Sequence, residues 1–200
     1  MSPVYERKDR YYKKAKEAGH ASRAIFKLDE IDQRFHLIQA QDRILELGCA
    51  PGGWLQYLAK KIKPNGRVVG VDLLDVKITL PSFIQVKKGD ATQPEVQQAC
   101  IDALEGKANL ILSDMSPNLS GIRFKDCYAS YQLALVVLDV SKKILKEGGH
   151  LLLKIFPGDE YKDFEKKVKQ QFKEMKTFIP DATRKGSSEI YIIAKGFRSE

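Results

Sequence analysis

Nine consecutive residues, Glu46-Leu47-Gly48-Cys49-Ala50-Pro51-Gly52-Gly53-Trp54, carry the densest chemical signal in the sequence. Glycines let a backbone approach a ligand where a side chain would clash. A helix starting at Gly53 would also turn free N–H groups toward an anionic or polar group. The spacing is neither Gly-x-Gly-x-x-Gly nor Gly-x-x-x-x-Gly-Lys-Ser/Thr, so the dinucleotide fingerprint and the phosphate-cradling P-loop both fail. Three acids then end three successive β-like runs: Asp72 in Val-Gly-Val-Asp, Asp90 in Lys-Gly-Asp-Ala-Thr and Asp114 in Leu-Ser-Asp-Met-Ser-Pro. An acid at the position of Asp72 commonly takes ribose hydroxyls, and Asp90 would face the same crevice and accept from an adenine amino group. Lys154 interrupts the apolar run Leu-Leu-Leu-Lys-Ile-Phe. Central strands of a two-sided sheet read as continuous apolar runs, so a lysine there is either an edge residue or a buried, working amine. Glu189 opens the last strand and by itself is a routine strand-edge charge. Lys27 borders an apolar helical stripe, where a stem can pack while the ammonium reaches a cleft or solvent.

The elements that must hold these groups alternate from Arg43 onward. Strands are expected at 43–47, 67–72, 83–87, 110–113, 150–156, 177–180 and 190–194. Helices are expected at 53–62, 94–105, 128–145 and 161–172, with Pro94 in a first turn and Gly148-Gly149 stopping the long helix. A further helix from a Ser22 cap to Phe35 precedes the sheet, with Ala24, Leu28, Ile31 and Phe35 on one face. The pattern is an α/β, Rossmann-like fold with a mostly parallel seven-stranded sheet and helices on both faces. Ligands of such sheets sit outside the carboxyl ends of the strands.

Two hundred residues suffice for one domain with a sizeable core. Apolar residues at 43% and charged residues at 30% exclude a disordered chain or a disulfide scaffold. The longest plain apolar run, 133–138, is too short to span a bilayer. The polar N-terminus argues against a signal peptide, so a cytoplasmic location is expected. Cys49, Cys100 and Cys127 read as reduced thiols, and no His/Cys set has metal-ligand spacing, so no metal is expected. The formal net charge is +8, and the first 27 residues hold eight Lys/Arg against three acids. Tyr5, Tyr11, Tyr12 and Phe26 interleave with those cations. A basic aromatic arm over 1–20, ahead of a single domain over 21–200, suits a polyanion with stackable bases, namely RNA. On composition alone, a solvated tail explains the same charge equally well.

Ser-Arg-Ala-Ile-Phe-Lys-Leu (22–28), Glu-Leu-Gly-Cys-Ala-Pro-Gly-Gly-Trp (46–54), Ser-Asp-Met-Ser-Pro (113–117), Leu-Lys-Ile-Phe (153–156) and Ser-Glu-Ile-Tyr (188–191) together resemble the FtsJ/RlmE family. The likeness runs from about residue 10 to 197. It implies an S-adenosylmethionine-dependent RNA ribose 2′-O-methyltransferase. The implied catalytic tetrad is Lys27, Asp114, Lys154 and Glu189, and the implied donor contacts are Gly52, Trp54, Asp72, Asp90 and Asp114. The implied substrate is a uridine of large-subunit (23S-type) ribosomal RNA, free or in the large ribosomal subunit, and the expected state is a monomer. A transfer-RNA ribose methyltransferase is the main alternative, and a non-catalytic RNA-binding assembly factor a weaker one, since the tetrad is intact. Cys49 departs from the small residue, often alanine, expected at its position. For the implied reaction the enzyme must hold oxygen, carbon and sulfur in line. The base candidate is Lys154, although an alkylammonium in water titrates near ~10.4. Burial and a like charge such as Lys27 favour the neutral amine, while Asp114 and Glu189 oppose it. A cationic Lys154 stabilising the developing oxyanion is the other possibility.

Overall fold

The computed structural model describes residues 9–199. Tyr5 and the rest of the first eight residues lie outside that range. The helices are α1 (Arg10–Glu17), α2 (Ala24–Phe35), α3 (Gly53–Lys61), α4 (Pro94–Ala103), α5 (Arg123–Ile144) and α6 (Tyr161–Gln171). The strands are β1 (Arg43–Leu47), β2 (Arg67–Asp72), β3 (Ile84–Lys88), β4 (Ala108–Ser113), β5 (Leu145–Ile155), β6 (Phe172–Phe178) and β7 (Ile190–Phe197). They form one seven-stranded sheet in the order β3-β2-β1-β4-β5-β7-β6. The first five strands run parallel, and β7 enters antiparallel between β5 and β6.

Strand periodicity sorts the side chains into two cores. Leu45, Leu47, Val69, Val71, Ile111, Leu151 and Leu153 pack with α4, α5 and α6 on one face. Ile44, Val68, Leu110, Leu112, Leu152 and Ile193 pack with α2 and α3 on the other. Continuing the second parity outward places Glu46, Asp114 and Lys154 together, at the carboxyl ends of β1, β4 and β5, on the α2 side of the sheet.

Three local expectations are corrected. Arg23, not Ser22, occupies the cap of α2, and no side chain caps it; the Ser22 hydroxyl instead lies over Gly53, where a Cβ would collide with it. The long helix ends at Ile144, ahead of Gly148-Gly149, because Leu145 already pairs with Ala108; the glycines lie inside β5, at the register shift before His150 pairs with Leu110. The sixth strand runs over Phe172–Phe178 rather than 177–180, because Phe172 and Phe197 bury against each other across β6 and β7. Within the basic arm, α1 is a helix: Asp9 caps it by accepting from the Tyr12 amide, and Ala15 is buried.

No helix among the described residues is long and apolar enough to cross a membrane. All three cysteines are buried and free.

Candidate active site

The turn from β1 to α3 floors a cleft of about 620 Å³, a volume typical of small-molecule sites. Gly48 sits at φ +75°, and a Cβ there would come within 2.5 Å of Met115 Cγ. Gly52 sits at φ +110°, with Ile78 where its Cβ would go. Both positions therefore require glycine for conformation and for space. Cys49 fits because Gly70 of β2 yields room: a Cβ on Gly70 would stand 2.8 Å from Cys49 Sγ. Burial pushes the Cys49 thiol up, with the Glu46 and Asp72 carboxylates adding to the shift, so it is an inert packing group.

The Asp72 carboxylate ties down that turn, accepting from the Ala50 amide at 2.8 Å and from the Leu74 amide at 2.8 Å. Trp54 is buried and lines the cleft; its indole N–H donates to Ala24 O at 2.8 Å, joining α3 to α2. Gly52, Asp72 and Asp90 are not among the residues facing the cleft. Asp90 is exposed and accepts from the amide and hydroxyl of Thr92 at 2.8 Å. Those bonds hold its carboxyl below the ordinary carboxylate range.

Lys27, Asp114, Lys154 and Glu189 all line the cleft. Lys154 is 8% exposed. Its Nζ donates to the Asp114 carbonyl at 2.7 Å and lies 3.0 Å from Asp114 Oδ1. Lys27, also buried, pairs with Glu189 Oε1 at 2.5 Å. Burial would raise the Asp114 carboxyl. The Lys154 and Lys27 ammonium groups, with hydrogen bonds from Tyr191 and Lys154, outweigh it and hold the group below its usual value.

Tyr191, Glu46 and a clamp made by Arg23 and Glu30 complete the cluster. Tyr191 is fully buried, lies opposite Lys154 in the β5–β7 register, and donates its hydroxyl to Asp114 Oδ1 at 2.7 Å. Burial and the carboxylates of Asp114 and Glu189 raise its phenol well above the ordinary value, so it remains a donor. Glu46, 2% exposed, lines the cleft with Oε2 buried and unpaired. Burial, then the Asp114 and Asp72 charges, push its carboxyl far up. Arg23 donates to Asp9 and to the Ala182 carbonyl, while Glu30 accepts from the amides of Asp181 and Ala182. Arg23 and Glu30 thus clamp the segment that leads to Glu189. The Tyr191 partnership depends on strand register, which residue types alone do not fix. Glu46 was within reach of sequence reasoning, since an acid inside an otherwise apolar β1 is as anomalous as Lys154 in β5.

Among the described residues no group of three or more His, Cys, Asp or Glu side chains could hold a metal ion.

A family model described as FtsJ-like methyltransferase matches residues 20–197. Proteins named ribosomal RNA large subunit methyltransferase E are similar over nearly the whole chain. That of Methanosphaera stadtmanae is 38% identical over 193 residues, covering 96% of this chain and 94% of the relative. That of Syntrophobacter fumaroxidans is 39% identical over 194 residues, covering 97% and 98%. A solved structure of a Plasmodium falciparum protein described as a ribosomal RNA methyltransferase superposes with a TM-score of 0.79 at 24% identity, covering 90% of this chain and all of that one. Aeropyrum pernix fibrillarin, solved with natively bound S-adenosyl-L-methionine, gives a TM-score of 0.57 at 22% identity over 79% of this chain and 68% of that one. At those identities the two structures establish the shared fold.

Proposed function

The chain belongs to the FtsJ-like methyltransferase family, and from that premise we propose that it transfers a methyl group from S-adenosylmethionine to a ribose 2′-oxygen of RNA. The observation that carries the reading is the buried Lys154–Asp114 pair in the cleft at the carboxyl ends of β4 and β5. Large-subunit ribosomal RNA is the assigned substrate, on the names of relatives that match nearly end to end. The uridine rests on the family resemblance alone. The protein is read as a cytoplasmic monomer, with residues 1–20 as an RNA-contacting arm and 21–200 as the transferase.

The residues present fit the donor. Glu46 Oε2 is a buried acceptor without a partner, and an ammonium such as that of a methionine moiety would satisfy it and favour its ionised form. Gly48 lines the cleft with Glu46, and Gly52 shapes the turn behind it. Asp72 keeps acceptor capacity for ribose hydroxyls, and Trp54 walls the cleft. Asp90 stands outside the cleft lining, where it would reach an adenine amino group at the far end. The bound donor supplies a methyl on a positively charged sulfur.

Lys154 acts on the acceptor. The ammonium that pairs with Asp114 becomes a base once it has given one proton to solvent, which leaves an amine with two N–H bonds and one lone pair. Both donors are used by the carbonyl and carboxylate of Asp114, which leaves the lone pair for the 2′-hydroxyl proton. Lys154 Nζ would keep that proton while the donor's methyl would pass to the 2′-oxygen and its sulfur would depart as a neutral thioether. Lys27 and Glu189 neutralise each other beside this amine and fix the cleft wall. Tyr191 holds the Asp114 carboxylate.

The test is to incubate the protein with donor and ribosomal RNA and then hydrolyse the RNA in alkali. A 2′-O-methyl removes the nucleophile that cleaves the adjoining phosphodiester, so the site appears as a protected bond. Comparing total RNA from cells with and without the gene then locates it. Methyl transfer to a base, with no protected bond, overturns the reading.

Donor binding gives a separate check. Asp72→Ala should weaken S-adenosylmethionine binding by roughly 1–3 kcal/mol in calorimetry. Equal affinities would remove Asp72 from the donor site.

The arm gives another. Lys13, Lys14 and Lys16 are exposed on α1. Tyr11 and Phe26 meet at a tilt, at 5.6 Å, and Lys14 lies 4.9 Å over Phe26, while the Tyr12 ring is exposed, so the arm, over its described residues, offers charge and one free ring. Neutralising the three lysines should flatten the salt dependence of RNA binding by up to about 0.7–0.9 per lost phosphate contact, with donor affinity unchanged. An unaltered slope would show that this charge is only solvated.

A further inference from the structure

Eight large apolar side chains are exposed among the described residues, and four of them fall between 119 and 128: Leu119 at 61%, Ile122 at 51%, Phe124 at 64% and Tyr128 at 47%. Exposed apolar groups gathered in one place mark an interaction surface more often than scattered ones do. Their place in the fold is specific. Leu119, Arg123 and Cys127 line the cleft that holds Lys154. Phe124 and Tyr128, one turn apart, share the flank of α5 next to Arg123 and Cys127.

This segment is held rather than merely uncovered. The Asp126 carboxylate accepts from the Ser120 amide at 2.7 Å, the Ser120 hydroxyl at 2.8 Å and the Gly121 amide at 3.2 Å. The turn that displays Leu119 and Ile122 is therefore tied to the first turn of α5. Cations alternate with the apolar groups, Arg123 before Phe124 and Lys125 after it, both exposed. A flat ring between two cations, at the mouth of a cleft with a reactive amine, matches a polyanion that carries flat apolar bases. It does not match an apolar protein face, which would leave both cations desolvated and unpaired.

We infer that Phe124, backed by Tyr128, is a stacking platform for an unpaired base next to the nucleotide whose ribose enters the cleft, with Arg123 and Lys125 on the flanking phosphates. This rests on the RNA reading above and adds to it: the acceptor is single-stranded at the site, and an aromatic contact orients it. Stacking on a protein ring tolerates any base and requires the base to be out of a duplex.

The test measures binding of a short unpaired RNA oligonucleotide, and of the same oligonucleotide annealed to its complement, by fluorescence anisotropy. The proteins are wild type, Phe124→Ala, Phe124→Leu and Phe124→Trp, with S-adenosylmethionine affinity and melting temperature measured alongside. Alanine should weaken binding of the unpaired strand roughly tenfold or more, leucine should fail nearly as badly, and tryptophan should restore it. Duplex binding, donor affinity and melting temperature should not move. Leucine binding like wild type would overturn the platform, because area without a ring would then suffice. A loss seen only with assembled ribosomal subunits, and not with naked RNA, would also overturn it and assign the patch to a protein contact. So would loss of a concentration-dependent dimer in the alanine variant. If wild type binds the unpaired strand by Phe124 yet leaves no alkali-protected bond, the platform stands and the methylation reading fails.

Discussion

Lys154→Ala should lower single-turnover methylation by at least about 10²–10⁴-fold, the usual contribution of a placed general base, while S-adenosylmethionine binding stays close to wild type. The reason is geometric. The amine's partners are the carbonyl and carboxylate of Asp114, an implied donor contact that Tyr191 still holds when the amine is removed. Its interaction with the acceptor matters mainly in the transition state, so the loss falls on the chemical step. Lys154→Arg should fail almost as badly. A guanidinium keeps the charge, cannot give up its proton at working pH, and is planar where the amine is tetrahedral. The pH–rate profile separates the two roles of the amine. A base mechanism predicts a rate that rises as the amine loses its proton, and a cation mechanism predicts a rate that falls over the same range. Substantial methylation by Lys154→Arg, with no rise of rate with pH, would sink the base assignment.

Asp114→Asn should damage both turnover and stability, with a signature in acid. Asp114 carries Lys154 and Tyr191 on the same oxygen. Removing its charge should cost roughly 1–3 kcal/mol at neutral pH. Its carboxyl is held below the ordinary value in the folded protein, so the unfolded chain binds the proton first as pH falls. The stability it contributes is therefore full above about pH 4, the unfolded value. It is lost as pH drops through the folded value. In Asp114→Asn the melting temperature should be lower at pH 7 and should decline less steeply below about pH 4 than in wild type. Parallel acid limbs for the two proteins would show that the lysine pairing gives no net preference for the charged carboxylate.

Sequence reasoning reached the sheet and its parallel character from the alternation of elements, and marked Lys154 and the glycine turn as local anomalies; Lys27 and Glu189 joined the proposed tetrad only through the family resemblance. Lys154 breaks an apolar strand, and the glycines of the β1–α3 turn exceed what a turn needs. Helix ends and the last strands were less legible. Nothing in Leu145 itself says that it pairs with Ala108 instead of extending α5, and the position of β6 depends on Phe172 meeting Phe197. Lys27 looked like a snorkelling stem because its partner, Glu189, lies 162 positions away. Asp90 follows β3 as expected, and its Oδ1 also closes its own turn with Thr92, a local bond that its place in the sequence does not announce. The aromatic arm read as open stacking surface, but Tyr11 and Phe26 are engaged with each other.

The insertion of β7 between β5 and β6 has a consequence for the order of events during synthesis. Glu189 and Tyr191 sit at the start of the strand made last among those described, and that strand enters a sheet whose neighbours on both sides are already translated. A growing chain that has released β1 to β5 carries the glycine turn, Asp72 and Asp114. It lacks both the carboxylate that pairs with Lys27 and the phenol that steadies Asp114. Glu189 meets Lys27, and Tyr191 meets Asp114, only once β7 has been made and has paired with β5 in register, so the proposed cluster is the last part of the sheet to be completed.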